Sequence, residues 1–261
     1  MVSRFSRLGS GLLSALALTG LMSARANEPK ADAKDDAKPI KLAFVRKAGD
    51  VFRYKTMLTN TVNGTDVPSQ STVTFTTKEV KPGGEVVVIA TPEGGSYTLN
   101  GVENAISAGS PITYTYDKLG HLSAFKPNAE EAGLLTLPLQ YFIAIAHNPL
   151  LPEKPMKPGD TWKTDVDNPA AKDKKISVAS TFVAAEKVDG MDAWKIRQAM
   201  EAETDTGDKF TCEVTSWLDA SNGQLIKSEE TMKGVPTQYG KMDWEGKTVR
   251  VKPAEKKPTD K

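Results

Sequence analysis

The chain has 261 residues, with 34 basic and 33 acidic side chains and a formal charge of +1. So even a balance, with no clustered basic excess, argues against a nucleic-acid-binding surface. Cys212 is the only cysteine, so no intramolecular disulfide is available and stability has to come from a packed core.

Residues 1–26 read as an export signal. Arg4 and Arg7 form a short basic region, residues 8–22 are apolar or small and uncharged, and Ala24-Arg25-Ala26 presents small side chains at both positions a signal peptidase reads. A retained anchor is the alternative. A spanning helix needs about 20 strongly apolar residues, whereas this run is interrupted by Gly9, Gly11, Ser14, Thr19 and Gly20. No cysteine follows it to accept a lipid, and no Arg-Arg pair marks it for twin-arginine export. Cleavage near Ala26 is expected to release an extracytoplasmic protein, periplasmic or secreted, without an integral membrane span. Residues 27–41 then alternate Lys, Asp, Ala and Pro with little to bury, the composition of a disordered charged linker.

The body reads as mainly β, an antiparallel curved sheet or sheets. Residues 51–62 run into Asn63-Gly64, a type I′ hairpin signal. Residues 71–80 are rich in β-branched side chains, residues 81–84 (KPGG) form a turn, and residues 85–91 (EVVVIAT) suit a buried strand. Residues 112–116 and 121–125 flank a turn at residues 117–120. Later, residues 175–188, 191–202, 210–218 and 224–232 repeat the strand–turn rhythm around Asp189-Gly190 and Asn222-Gly223. Period-2 patterning places Phe210, Cys212, Val214, Ser216 and Leu218 on one face and Thr211, Glu213 and Thr215 on the other. Trp194 and Ile196 likewise oppose Lys195 and Arg197.

Two related β-repeats, residues 42–128 and 156–251, are suggested by three parallels in the same order. Lys47-Ala48-Gly49-Asp50-Val51-Phe52 matches Lys157-Pro158-Gly159-Asp160-Thr161-Trp162. Lys78-Glu79-Val80-Lys81-Pro82-Gly83 matches Ala185-Glu186-Lys187-Val188-Asp189-Gly190. Tyr116-Asp117-Lys118-Leu119-Gly120 matches Leu218-Asp219-Ala220-Ser221-Asn222-Gly223 with one residue inserted. Duplication and chance agreement of turn residues both account for this pattern. Between the repeats, residues 129–155 hold one apolar helix candidate. Pro138 suits its first position, Asn148-Pro149 stops it, and it is apolar nearly all round. Such a helix is normally buried, as a plug or a bridge between repeats. A lid over an apolar ligand is the alternative. Residues 252–261 read as a disordered tail.

No constellation of catalytic residues, cofactor fingerprint or metal-ligand spacing emerges. Asp205-Thr206-Gly207 has the core of an aspartic protease signature, but one copy among Glu201, Glu203, Asp208 and Lys209 reads as a solvated turn. Asp165-Val166-Asp167-Asn168 begins like a calcium loop and fails at Pro169 and at Ile176, where a bidentate Glu belongs. His121 sits just past a turn and reads as solvated; His147 falls at the helix C-terminus, where the dipole favours it. Cys212 reads as a small core residue. Trp217 lies opposite Phe210 and Leu218 across its strand, which requires either a second covered face or an exposed aromatic platform.

The K-x-G-D-x-[FW] opening at Lys47 and Lys157 and the Y-D-x-x-G-x-L closure at Tyr116, behind a signal peptide and charged linker, resemble exported bacterial β-rich proteins. They are similar in pattern to lipoprotein-carrier (Lol-type) half-barrels. The resemblance covers about residues 47–235 and rests on turn residues. It implies a curved antiparallel sheet wrapped around helices and able to hold acyl chains, while the apparent duplication departs from a single carrier domain.

Three readings of function follow. The first is a non-catalytic protein binding a lipid or other apolar small molecule in the sheet's concavity, with Leu139, Phe142 and Ile143 as candidate ligand contacts. The second is a structural module that binds another envelope protein through its tether, and the third a hydrolase with dispersed residues. No cofactor, metal site or catalytic residue is assigned.

Overall fold

The computed structural model describes residues 38–126, 144–145, 148–168, 171, 173–237 and 240–251. Within them twelve strands form one sheet, so the two halves of the chain are not separate sheets. The N-terminal half supplies β1 (Val51–Val62), β2 (Thr65–Val80), β3 (Val86–Leu99), β4 (Val102–Ile106), β5 (Ile112–Tyr116) and β6 (Leu122–Lys126). The C-terminal half supplies β7 (Thr161–Asp167), β8 (Lys175–Val188), β9 (Met191–Glu203), β10 (Lys209–Asp219), β11 (Leu225–Thr237) and β12 (Gly240–Val251). The order across the sheet is β6-β5-β3-β2-β1-β12-β11-β10-β9-β8-β7, with neighbouring strands antiparallel.

Each half is thus a meander of hairpins, and the halves meet where β1 pairs with β12 from Arg53↔Val251 to Val62↔Met242. The hairpins follow local turn chemistry. Asn63 (φ 50°) and Gly64 (φ 77°) turn β1 into β2, as their sequence predicts. A second turn of the same kind, Asn100 (φ 52°) and Gly101 (φ 76°), sends β3 into β4. β3 therefore spends its free edge twice, pairing Val86–Ala90 with β5 and Gly95–Leu99 with β4. Asp205-Thr206-Gly207 is a tight turn between β9 and β10, with Gly207 N–H donating to the Thr204 carbonyl.

Alternation is cleanest in the C-terminal half. Ile176, Val178 and Phe182 of β8, Ile196 and Met200 of β9, and Phe210, Cys212 and Val214 of β10 are all buried on one face. Bulges at Thr72/Val73, Phe182/Ala184, Trp217/Leu218 and Met232/Val235 add local bend and twist, and the sheet curves. Of the segment expected to be a helix, Ala144 and Ile145 are described: both are helical and buried, and Ile145 packs into the core with Leu150, Ile176 and Phe210. The remainder lies outside the described residues.

The two halves share hydrogen-bond detail at their corners. Ahead of β1, Lys47 N–H donates to Asp50 Oδ2 (2.7 Å) and Gly49 N–H to the Thr77 carbonyl (2.9 Å). Ahead of β7, Lys157 N–H donates to Asp160 Oδ2 (2.8 Å) and Gly159 N–H to the Phe182 carbonyl (2.7 Å). The Asp117 carboxylate accepts from Leu119 N–H (2.8 Å), as Asp219 accepts from Ser221 N–H (3.0 Å).

Across these last two turns runs the entry segment, residues 40–46. Ile40 bridges to Met156, Leu42 is buried beside Phe182 and Trp194, and Val45 N–H donates to the Asn222 carbonyl (2.8 Å). Gly223 is what lets the segment pass. Its φ is 71°, and a Cβ there would stand 2.1 Å from the Ala43 carbonyl oxygen. Gly223→Ala is expected to lower the unfolding free energy by about 2–4 kcal/mol, combining backbone strain with a steric clash. Gly190→Ala, with open space around it, should cost only about 1–2 kcal/mol of left-handed strain. Urea unfolding of both variants measures the difference.

Candidate apolar binding cavity

The concave face is filled unevenly. Over β8–β11 the residues arriving from the connector, including Leu150, Leu151 and Met156, close against the sheet. Over β1, β2, β3 and β5 a cavity of about 340 Å³ remains, floored by the entry segment and bounded by Ala144, Asn148 and Pro149.

Its wall is a run of rings. Tyr54 of β1 meets Phe75 of β2 edge-on at 5.6 Å, Phe75 meets Tyr114 of β5 at 6.1 Å, and Tyr114 stacks on Tyr116 at 6.2 Å. Phe44 of the entry segment closes the series on Tyr116 at 5.6 Å. Strand alternation explains the convergence, because 54, 75, 114 and 116 occupy inward positions of three strands whose spacing brings rings to contact distance. Burial pushes the Tyr114 phenol up to about 12, and raises those of Tyr116 and Tyr54 as well. These tyrosines line the cavity as neutral amphipathic rings. A narrower polar band crosses it, where Thr56 and Thr248 hydroxyls pair at 2.9 Å across the β1–β12 seam and Ser71 and Ser228 stand beside them.

One end of the cavity is cationic. Arg250 is fully engaged: its Nε donates to the Leu225 carbonyl (2.8 Å), one terminal nitrogen to the Gln224 carbonyl (3.0 Å) and the other to Asp219 Oδ2 (3.3 Å). The Asp219 carboxyl is partly desolvated, which alone would raise its pKa. Hydrogen bonds from the Ser221 hydroxyl and N–H and from Arg250 outweigh this and hold it below the ordinary range. Arg46, on the entry segment, lines the cavity with its guanidinium against the Phe44 (5.4 Å) and Phe52 (5.2 Å) rings.

The residues proposed from sequence fare differently. Leu139, Phe142, Ile143 and His147 lie outside the described residues. His121 is not a solvated hairpin residue: its ring is half-buried and Nε2 donates to the Leu151 carbonyl (2.8 Å), with Asp117 Oδ2 at 3.4 Å from Nδ1. That bond ties the β5–β6 turn to the connector and commits the ring nitrogen to a structural role. Cys212 is buried in the core, as its strand face predicts, and its thiol is pushed far above the ordinary range by burial and then by Glu230 and Glu213. Trp217 is no exposed platform. It packs with Ala193 and Ile226 on the opposite sheet face, donates from Nε1 to Glu186, and is roofed by Lys227 (4.1 Å) and Lys195 (5.2 Å). Tyr54, Phe75 and Arg46 were missed. The alternation of β1 and β2 carried the first two, whereas Arg46 lies between the charged linker and the first expected strand and belongs to no strand pattern.

No protein-family model matches the chain, and no curated protein matches its sequence. Among solved structures, a protein inferred to be exported, with a YmcC-like fold, from Bacteroides fragilis is 14% identical. It aligns over 80% of this chain and 97% of its own, with a TM-score of 0.39. A protein inferred to be a lipoprotein, from Parabacteroides distasonis, is also 14% identical over 82% and 98%, with a TM-score of 0.34. A domain inferred to belong to an outer-membrane lipoprotein-sorting protein of Vibrio parahaemolyticus is 10% identical over 80% and 87%, with a TM-score of 0.23. These neighbours are of the exported and lipoprotein-sorting kind that the sequence pattern resembles. At such scores the likeness carries no argument about what this chain does.

Two measurements test the site's chemistry. The Cys212 thiol should resist a disulfide reagent at about pH 8 in the folded protein and react fully in guanidinium. Asp219 contributes stability above its unfolded pKa that is lost as pH falls through its lower folded value. Asp219→Asn should therefore destabilise by about 1–3 kcal/mol at neutral pH and flatten the acid limb of a stability–pH curve.

Proposed function

We propose that this protein is a non-catalytic extracytoplasmic binder that holds a lipid or other apolar small molecule in the concavity of its sheet. The observation that carries the reading is the ring-lined cavity of about 340 Å³ under β1, β2 and β5. Its size and its mostly apolar wall with a few convergent polar groups suit a small-molecule site. The signal sequence supports the compartment. On sequence alone the reading extends to Leu139, Phe142 and Ile143 as further apolar contacts from the connector.

Native and denatured mass spectra of the exported protein test it: lipid mass present natively and lost on denaturation supports the reading. A neutral fluorescent probe, N-phenyl-1-naphthylamine, gives the affinity. Val73→Trp, which projects an indole into the cavity, is expected to weaken probe binding at least about tenfold, or 1.4 kcal/mol, with a near-normal urea midpoint. Unchanged binding by this variant would move the ligand elsewhere. Alanine variants at Leu139, Phe142 and Ile143 in the same titration test the connector's share.

A second reading, an envelope protein-interaction module, is favoured by one surface. The β3–β4 hairpin exposes Leu99, Val102 (60% exposed) and Ile106 together. Loss of a captured envelope protein on replacing the three with Ser would support it.

We also propose that residues 42–128 and 156–251 descend from one duplicated repeat. The matched Lys-x-Gly-Asp corners and the paired Asp117 and Asp219 turns support this, including the same side-chain acceptor at each corner.

A further inference from the structure

We propose that the ligand is an anionic amphiphile, an apolar chain bearing a carboxylate or phosphate head, and that Arg46 receives the head. This rests on the cavity reading above and specifies its chemistry.

The case is an imbalance of charge. Arg46 stands on the cavity wall, with a side chain only partly open to solvent. Among the described residues its buried Nε has no hydrogen-bond partner, and its one hydrogen bond, to Thr77 Oγ1, is 3.5 Å long. Among the described residues no carboxylate lies within ion-pair distance of its guanidinium. Asp50, the nearest acid to influence it, already accepts from Lys47 N–H (2.7 Å). Arg250, also against the Phe52 ring (5.2 Å), has three acceptors and a carboxylate among them. Of the two guanidiniums against the Phe52 ring, Arg250 is neutralised and Arg46, the one that lines the cavity, is not.

A desolvated cation without a counter-charge is costly, and stacking on two rings offsets little of that cost. Burial also lowers the Arg46 pKa, the expected response of an uncompensated cation. The Phe44 and Phe52 rings hold the guanidinium at 5.4 and 5.2 Å, and its unpartnered N–H would take an external acceptor. Carboxylate and phosphate oxygens match that fork geometry. A head docked there would lay its chain along Tyr116, Tyr114 and Phe75, the rings that continue from Phe44 into the cavity.

The experiment is calorimetric titration of the full exported protein, stripped of endogenous lipid, with dodecanoate, dodecyl phosphate, dodecanol, and acetate or inorganic phosphate. Both anionic amphiphiles should bind at least about tenfold tighter than dodecanol, the size of a charge-assisted hydrogen bond. Arg46→Met should remove that advantage while leaving dodecanol affinity within about twofold, and Arg46→Lys should retain part of it. The Met variant should unfold at or above the wild-type urea midpoint, since it deletes an uncompensated charge. Equal affinity for dodecanoate and dodecanol, indifferent to Arg46→Met, would overturn the anionic head and leave the apolar cavity standing. Failure of every amphiphile to bind, dodecanol included, would overturn both. Acetate or phosphate binding as tightly as the amphiphiles would make Arg46 a free-anion site and refute the amphiphile.

Discussion

Everything in this molecule depends on the pairing of β1 with β12. These strands are the beginning and the end of the sheet-forming chain, and their ten paired positions make one sheet of two meanders. The ladder is close as well as long. Gly246 faces Leu58, where a Cβ would stand 2.2 Å from Leu58 Cδ2 and 2.7 Å from the Met57 carbonyl oxygen, so that position admits no side chain. Inward, Thr56 and Thr248 share a hydrogen bond across the seam, and Tyr54 sits opposite Arg250. The cavity wall therefore exists only when the seam is closed, because residues from both of its strands line the space. Closing a loop from β1 to β12 is the most entropically demanding contact in the fold, and a sheet dominated by such non-local pairing is expected to fold slowly.

The entry segment converts that curved sheet into a container. Leu42 anchors it in the C-terminal core, Ala43 passes over Gly223, and Phe44 lies against Gly120. Gln224 holds the Val45 carbonyl through its side-chain amide at 3.3 Å. The last three contacts use two turns with similar Asp-anchored geometry, so the segment spans matching corners of the two halves. This placement delivers Phe44 and Arg46 to the cavity from outside the sheet and explains why neither belongs to a strand pattern.

Local chemistry made much of the fold legible. Asn63-Gly64 defined its hairpin, Asp205-Thr206-Gly207 was a turn, and alternation in residues 210–218 placed Cys212 and Val214 inward as observed. Asn100-Gly101 carried the same hairpin signal and was overlooked, because Val102-Glu103-Asn104-Ala105-Ile106 alternates poorly and its strand is mostly exposed. β7 and β12 were not individually delineated either. The β1–β12 seam could not be read at all, since no local pattern specifies which distant edge a strand will meet. The candidate site was less legible still: its rings were visible as strand residues, but their convergence is a consequence of the seam and of sheet curvature.

The uneven filling of the concave face is the last consequence of this topology. A curved sheet needs something in its concavity, and the connector enters from β6 at one edge and leaves to β7 at the other. The residues that leave it, Leu150, Leu151 and Met156, reach the β7–β10 side first and complete two core clusters there. Even on that side the packing is not wholly apolar. Ser180, Gln198 and Ser216 are buried with side-chain atoms that have no partner among the described residues, each costing on the order of 1–3 kcal/mol. Among the described residues the opposite side, beneath Tyr54, Phe75 and Tyr114, keeps its hollow and its unneutralised arginine. An optimised core would have filled the one and paired the other, and the binding role proposed above accounts for keeping both.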